Sequence, residues 1–289
     1  ELGAPDPRGG KVSNPPAEVE GNSDGLKIRP TDLWSLQPIT APEIPTTQDK
    51  SWPKDHIDRF ILAKLEEQNI MPVEEASPLT LLRRLHYDLT GLPPTVEEVA
   101  DFEAALATKK NNSVQHSALR IPHSALESLV DRLLASPAFG QRWGRHWLDL
   151  ARYADTNGGG PNFTFDNAWR YRDYVIASFN QDKPYDQFLR EQIAGDLLPH
   201  ENAQQRSEQL IATGFWLLGP KGLAEYDKAK VKMDVIDEQL DTLGRSMLGL
   251  TLGCARCHDH KFDPISQRDY YALAGILSST ASLKPQNKT

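Results

Sequence analysis

Apolar residues recur along most of the chain at the three- and four-residue spacing of one helix face. The first such helix is predicted from about Asp55, and its pattern is interrupted at Met71-Pro72. Four residues make up its apolar face: Ile57, Phe60, Ile61 and Leu65. The alternation of apolar and polar residues that is typical of strands does not occur over any convincing length. The pattern therefore predicts an all-α fold.

Capping residues mark where other helices begin. Four start signals are present: Ser77-Pro78, Thr95-Val96-Glu97-Glu98, Ser124-Ala125-Leu126-Glu127 and Ser266-Gln267-Arg268-Asp269. Hydrophobic spacing predicts further helices at 141–153, 167–180, 185–194 and 204–215. The longest predicted helix has an apolar stripe made of Met233, Ile236, Leu240, Leu243, Met247 and Leu250. Its other side carries Asp234, Asp237, Asp241 and Arg245, which we interpret as solvated charge.

The chain divides into three predicted segments. Nine of the 21 prolines precede residue 54, and such a composition disfavours regular structure, so residues 1–53 are predicted to form a Pro-rich extended linker or strap. Residues 54–135 are predicted to form an N-terminal helical subdomain that includes a polar loop at 108–122. Residues 136–289 are predicted to form a second helical subdomain.

Composition and net charge argue against a nucleic-acid-binding protein and against a transmembrane protein. The 289 residues carry a formal net charge of −8, which argues against a nucleic-acid partner. No apolar run approaches the roughly 20 residues that a transmembrane helix needs. The sequence begins Glu1-Leu2-Gly3, without a Met or a signal segment, and we interpret it as a processed chain.

The strongest chemical signal is a Cys-x-x-Cys-His motif. The two cysteines of the chain, Cys254 and Cys257, are followed directly by His258. Two thiols at this spacing can form thioethers with the two vinyl groups of haem, and the adjoining imidazole can ligate the iron. The motif therefore predicts one covalently attached haem c, with His258 as the proximal ligand of the iron and an all-α domain around it.

Two other chemistries stay open for the motif. A zinc site could use Cys254, Cys257 and either His258 or His260, although a structural zinc normally takes a second ligand pair from another segment. A thioredoxin-like redox pair normally lies in a β-α-β context, which this sequence does not predict.

The segment around the cysteines, Leu250–Tyr271, resembles the signature of the planctomycete-type cytochrome-c-like family, the second cytochrome-like domain of that set. Four upstream blocks are similar to the family too: Asp88–Pro94, Arg145–Asp155, Asn167–Asp173 and Glu191–Pro199. The resemblance covers about Asp32 to Thr280. The chain departs from the family at 219–224, where Gly-Pro-Lys-Gly-Leu-Ala replaces the usual Asn-Glu-Glu-Gly stretch.

The resemblance implies an exported, multidomain protein in which a planctomycete-specific partner domain or subunit follows this one. We therefore expect a periplasmic or extracellular location, which haem c attachment also favours, and a redox partner protein. One-electron transfer is the leading expectation for function. The alternatives are a haem-dependent oxidoreductase or peroxidase-like enzyme acting on carbohydrate or another small substrate, and a structural subunit of a complex.

The sixth ligand of the iron would decide between a carrier and an enzyme, because two strong protein ligands block access of a substrate. His146 is the first candidate, since it shares a helix face with Trp143 and Leu150 and should point into apolar surroundings. Met247 and Met233 are further candidates on the apolar stripe of the long helix. For His260 we expect a hydrogen bond to a haem edge or to a local carboxylate.

Haem propionates need cationic or N–H partners. The candidates come from two aromatic-rich predicted helices: Arg145, Trp147, Arg152 and Arg170. Pairing within one helix, as between Arg145 and Asp149, is the competing interpretation. The run Asp155-Thr156-Asn157-Gly158 begins like a calcium loop, but no Glu closes it at the twelfth position, so calcium is a secondary expectation.

Overall fold

The computed structural model describes residues 33–107, 123–158, 162–222 and 225–280. Within these ranges the chain forms helices and no strand, apart from an isolated antiparallel bridge between Thr156 and Thr164. The α-helices are α1 (His56–Glu67), α2 (Pro78–Thr90), α3 (Val96–Ala107), α4 (His123–Leu134), α5 (Pro137–Leu150), α6 (Ala168–Asn180), α7 (Tyr185–Ala194), α8 (Ala203–Ala212), α9 (Lys228–Leu243) and α10 (Gln267–Ser278). The predicted all-α fold is confirmed.

Parts of the predicted segments lie outside the described residues. They are the first 32 residues of the Pro-rich linker, the polar loop at 108–122, Gly159 to Pro161, Leu223-Ala224, and 281–289. Between Leu33 and Asp55 the chain has one 3₁₀ turn, Trp34–Leu36, and no α-helix. None of the described helices is both long enough and apolar enough to cross a lipid bilayer.

Helix starts follow the capping signals closely. The Ser77 hydroxyl accepts a hydrogen bond from the Thr80 amide at the start of α2. Ser266 and Asp269 form a reciprocal capping box at the start of α10. The prediction for Ser124 was wrong in position, because α4 begins at His123 and Ser124 lies inside its first turn.

The chain folds into two compact units. Within the described residues, one unit, here called the cysteine unit, comprises 33–38, 157–158, 162–163, 220–222 and 225–280; the other, here called the large unit, comprises 39–107, 123–156 and 164–219. The predicted segment boundaries after residues 53 and 135 rest on composition and capping signals, and they stay predictions.

In the large unit, α5 packs closely on α6 because its contact face is made of small residues. A Cβ atom added to Gly140 would lie 2.4 Å from the Ile176 carbonyl oxygen. The Gly140 amide donates to Asn180 Oδ1 at 2.8 Å, which anchors the end of α6 to α5. Further along the same face, Trp147 is buried and stacks on Phe215. A separate core cluster joins α2, α3 and α4 through Leu82, Phe102, Leu129 and Leu133.

The cysteine unit has its own core between α9 and α10. The cluster contains Ile236, Leu240, Leu252, Ala255, Ile265, Tyr270 and Ala274. The predicted long helix ends earlier than its apolar stripe suggests: α9 ends at Leu243, and a π-helical turn follows at Gly244–Leu248. Gly249 then adopts a left-handed conformation with φ of 65°, which ends the helical run before the motif.

Candidate functional site

The two cysteines lie on a 3₁₀ turn, Leu252–Arg256, and on the residue that follows it. Residues three apart are eclipsed in 3₁₀ geometry, so Cys254 and Cys257 lie on the same side of the turn. Both thiols are free and exposed, whereas Ala255 between them is fully buried in the core. The turn therefore presents two thiols outward while its inner side is anchored.

His258 is exposed next to the thiols. Its Nδ1 atom lies 2.8 Å from the carbonyl oxygen of Asp259. Because a carbonyl oxygen only accepts hydrogen bonds, Nδ1 carries the proton in this arrangement and Nε2 keeps its lone pair. Metal-ligating histidines usually donate their other ring N–H to a carboxylate or carbonyl oxygen, so this contact is compatible with ligation through Nε2.

Arg256, the residue between Ala255 and Cys257, is tied to α9. Its guanidinium donates to Asp237 at 3.0 Å and to Asp234 at 3.3 Å. Burial opposes the charge of Arg256, but the nearby carboxylate of Asp237 holds its pKa above the ordinary value. The interpretation of Asp234 and Asp237 as merely solvated charge was therefore wrong, because both pair with the motif segment.

Helix α10 makes hydrogen bonds both to Asp237 on α9 and to the motif segment. The hydroxyl of fully buried Tyr270 donates to Asp237, and burial followed by this contact raises the pKa of the phenol. The carbonyl of Arg256 accepts from the Gln267 side-chain amide and from the Tyr271 hydroxyl, each at 3.2 Å. The motif is thus fastened to α9 by one side chain and to α10 by its backbone.

His260 organises the loop that follows the motif. Its Nδ1 accepts from the amides of Asp263 at 2.7 Å and Phe262 at 3.2 Å. Its Nε2 therefore carries the proton and donates to Thr251 Oγ1 at 3.0 Å. The carboxylate of Asp263 lies 3.6 Å from Nδ1, so the local carboxylate that we expected is close to the His260 ring. The hydrogen bonds of the ring, however, are made with the Thr251 hydroxyl and with backbone amides. Thr251 and Asp263 lie inside the family-like segment Leu250–Tyr271, but no role was predicted for either of them.

The family of the chain is shown by its match to a family model. A model of the PSCyt2 family, described as "Protein of unknown function (DUF1549)", matches residues 56–282. The chain belongs to the PSCyt2 family. This is a planctomycete-type family, as the sequence resemblance implied. No curated protein and no solved structure matches the chain.

In this PSCyt2 member, the first candidate for the sixth ligand is a residue of the large unit. His146 is exposed on α5, and its ring lies 5.4 Å from that of half-exposed Trp143. The expectation that His146 points into apolar surroundings was wrong. The buried face of α5 carries Gly140 and Gly144, where α6 packs closely, and Trp147, which stacks on Phe215.

The candidate propionate partners are engaged within the large unit. The indole N–H of buried Trp147 donates to the Tyr171 hydroxyl at 3.0 Å, so its one donor is used in the core. Arg152 donates to the Leu218 carbonyl at 2.8 Å. Arg145 lies on the surface 3.9 Å from Asp149, and Arg170 lies over the Trp169 ring. Arg145 thus follows the competing interpretation of pairing within one helix.

The two methionine candidates lie in the cysteine unit. Met233 is partly buried and packs against the core cluster of that unit. Met247 is half-buried in the π-helical turn before the motif. As candidate axial ligands, both stay predictions.

The described residues contain no cluster of three or more His, Cys, Asp or Glu side chains that could hold a metal ion. In the expected calcium loop, Asp155 Oδ1 accepts a hydrogen bond from the Tyr153 hydroxyl at 2.7 Å. Burial, and to a lesser extent this hydrogen bond, raise the pKa of Tyr153 to about 12. Asn157 Oδ1 accepts from the Phe163 amide at 2.7 Å. Both oxygens therefore already have partners in the protein.

Proposed function

We propose that this chain attaches one haem c through Cys254 and Cys257, with His258 as the proximal ligand, and transfers single electrons outside the cytoplasm. The observation that carries the proposal is the geometry of the turn. It presents two exposed thiols on one side, next to an exposed imidazole whose Nε2 atom is free to bind iron. When bound, the iron would supply the one-electron couple.

The donor set fits attachment of haem c. Each thioether would form by addition of S–H across a vinyl group, so no oxidant and no leaving group is needed. The hydrogen bond from His258 Nδ1 to Asp259 fixes the ring tautomer that metal ligation requires. The ring of Tyr271, which is 51% exposed and bonds through its hydroxyl to the Arg256 carbonyl, offers apolar surface next to the motif.

Counting the thioether bonds between the chain and haem is the direct test of the proposal. The chain should be exported in a host that has haem c attachment machinery, purified under denaturing conditions and examined by intact mass and pyridine haemochrome spectrum. We expect the mass of the polypeptide plus one haem. Cys254→Ser and Cys257→Ser should each retain at most one thioether, and the double variant should retain none.

A colourless wild-type chain with the bare polypeptide mass would refute the proposal. Zinc at stoichiometric level in the same chain, purified without denaturant, would favour the metal-site alternative instead. The matched control is Ser279→Ala, which changes an exposed hydroxyl in the cysteine unit and leaves the motif intact. Its haem content should equal that of the wild type.

Carrier and enzyme are separated by the sixth ligand. A carrier with two strong axial ligands should keep a low-spin spectrum and bind carbon monoxide slowly or not at all when reduced. Rapid carbon monoxide binding by the reduced protein would favour the haem-dependent oxidoreductase. The variants His146→Ala, Met247→Ala and Met233→Ala identify the ligand among the three candidates, because only loss of the true ligand opens the iron to carbon monoxide.

The expected location and partners are part of the same proposal. A periplasmic or extracellular location follows from haem c attachment, and electron transfer requires a redox partner protein. A following partner domain or subunit, as the family resemblance implies, would place the haem in a larger assembly. Fractionation of the native source, followed by haem staining of the extracytoplasmic fraction, tests the location.

A further inference from the structure

Arg256 occupies an unusual position, because it lies between the two cysteines and is held at both of its ends. Its guanidinium bonds to Asp234 and Asp237 on α9, and its carbonyl accepts from Gln267 and Tyr271 on α10. This one residue of the motif therefore joins both helices of the cysteine unit. Cys257 adjoins this restrained residue directly, and Cys254 is joined to it through buried Ala255.

Asp237 is the centre of this arrangement. One of its oxygens accepts from Arg256 and the other from the hydroxyl of fully buried Tyr270. A carboxylate that bridges a core phenol and a guanidinium connects the orientation of Arg256 to the packed interior. Ala255, fully buried beside Arg256, anchors the inner side of the turn.

We propose that Arg256 is a positioning residue, which holds Cys254, Cys257 and His258 in attachment geometry before any cofactor is bound. The purpose of this positioning rests on the proposed function. The restraint that Arg256 places on the turn does not, because it is present in the chain without haem. Arg256 acts through Asp237 and Tyr270, and its guanidinium is committed to carboxylates of the protein rather than to a haem propionate.

The first arm of the test uses the full chain without haem. Hydrogen exchange followed by mass spectrometry should compare the wild type with Arg256→Gln in peptides that cover residues 250–260. We expect exchange in this segment to become about tenfold faster, because local opening no longer breaks two charge-assisted hydrogen bonds. Exchange in α5 and α6 of the large unit should stay unchanged.

Arg245→Gln is the matched control. Arg245 pairs with Asp241 at 2.7 Å on the exposed side of the same helical run, outside the motif. It should leave exchange at 250–260 within about twofold of the wild type. Asp237→Asn is a second variant, which keeps the size of the side chain and a hydrogen-bond partner for Tyr270 but removes the charge that holds Arg256.

The second arm uses exported chains that have been exposed to the attachment machinery. We expect Arg256→Gln and Asp237→Asn to lower the fraction of chains with covalent haem and to shift the reduction potential of the haem that is attached. Arg256→Lys should restore only part of both values, because an ammonium cannot bridge two carboxylates as a guanidinium does. A residue that only supported folding would not move the potential.

Three outcomes decide the proposal. Faster exchange together with reduced attachment, in the motif variants and not in Arg245→Gln, supports it. Unchanged exchange in Arg256→Gln, or an equal change in Arg245→Gln, overturns it. A wild-type chain that takes up no haem refutes the proposed function alone, and the exchange arm then still decides whether Arg256 holds the turn.

Discussion

The hydroxyl oxygen of Thr251 lies 3.0 Å from Nε2 of His260 and accepts a hydrogen bond from the ring N–H. The same hydroxyl donates to Asp263 Oδ2 at 3.1 Å. Thr251 directly precedes the 3₁₀ turn that carries the cysteines, and Asp263 lies in the loop after them. One hydroxyl thus joins the two sides of the motif through a buried histidine.

Thr251→Val tests this bridge. Valine keeps the shape of the side chain but removes the oxygen, which leaves the N–H of buried His260 without its acceptor. We expect a loss of about 1–3 kcal/mol in the free energy of unfolding. Urea unfolding followed by circular dichroism measures it. Thr280→Val, which removes an exposed hydroxyl 3.3 Å from the Ile276 carbonyl, should change the urea midpoint very little; equal losses in the two variants would contradict the bridge.

Much of the fold could be predicted because its signals are local. The capping box at Ser266 and Asp269 is a contact between residues three apart, so the sequence alone contains it. Helix α7 has the predicted bounds of Tyr185–Ala194 for the same reason, since Pro184 precedes it and Gly195 follows it.

The errors came from close contacts that helical periodicity does not describe. The apolar stripe of the long helix continues to Leu250, yet α9 ends at Leu243, and a Cβ atom added to Gly244 would lie 2.7 Å from the Leu250 carbonyl oxygen. This close approach is set by the fold, and periodicity does not contain it. His146 was assigned to a buried face for a related reason: the closeness of α6 selected the glycine face of α5, while periodicity favoured the aromatic one.

The candidate site, too, has one part that the sequence predicts and one part that it does not. The Cys-x-x-Cys-His motif could be found in the sequence because its chemistry depends on adjacent residues. The pairing of Arg256 with Asp234 and Asp237 could not, because it joins residues about 20 positions apart through tertiary packing.

His86 should make the large unit sensitive to mild acid. This side chain is only 3% exposed, and burial lowers its pKa from the ordinary value of 6.5; Glu98, 3.9 Å away, opposes the shift and Arg132 adds to it. Below about pH 6.5 the unfolded chain binds a proton that the folded chain does not, so stability falls as the pH falls until the lower folded pKa is passed. For one proton the slope is at most about 1.4 kcal/mol per pH unit.

His86→Gln removes this proton, and the pH dependence of the urea midpoint between pH 7 and pH 5 should become flatter. The exposed His200→Gln is the control and should keep the wild-type slope. Parallel slopes in His86→Gln and the wild type would show that the buried ring is not the source of the acid sensitivity.

Two glycines on one face of α5 should respond oppositely to alanine. A Cβ at Gly140 would lie 2.4 Å from a backbone oxygen, whereas the nearest atom to a Cβ at Gly144 is 3.4 Å away, which is ordinary contact. We expect Gly140→Ala to cost about 1–3 kcal/mol because α6 must move. Gly144→Ala should be neutral or stabilise by up to about 1 kcal/mol, since alanine favours helix. Thermal unfolding compares them, and similar melting temperatures would refute the close approach of α5 and α6.

The buried ion pair between Lys183 and Glu191 should be the costliest charge to remove in the large unit. Glu191 is 2% exposed and accepts from Lys183 and from the Tyr174 hydroxyl, each at 2.6 Å. Burial opposes ionisation of Glu191, but the contact with Lys183 is the leading reason why its pKa lies below the ordinary 4.5, so the stabilisation is present above that pH and is lost as the pH falls further.

Glu191→Gln leaves the Lys183 ammonium, whose side chain is 10% exposed, without its counter-charge. We expect a loss of about 3–5 kcal/mol near neutral pH, and a smaller difference from the wild type in acid, where the unfolded wild-type chain takes up a proton at this carboxyl that the folded chain resists. Asp186→Asn, which breaks an exposed pair with Arg190 on the same helix, should cost less than about 1 kcal/mol. Urea unfolding at pH 7 and pH 4 measures both variants. If Glu191→Gln and Asp186→Asn cost the same, the pair is not buried as the structure places it.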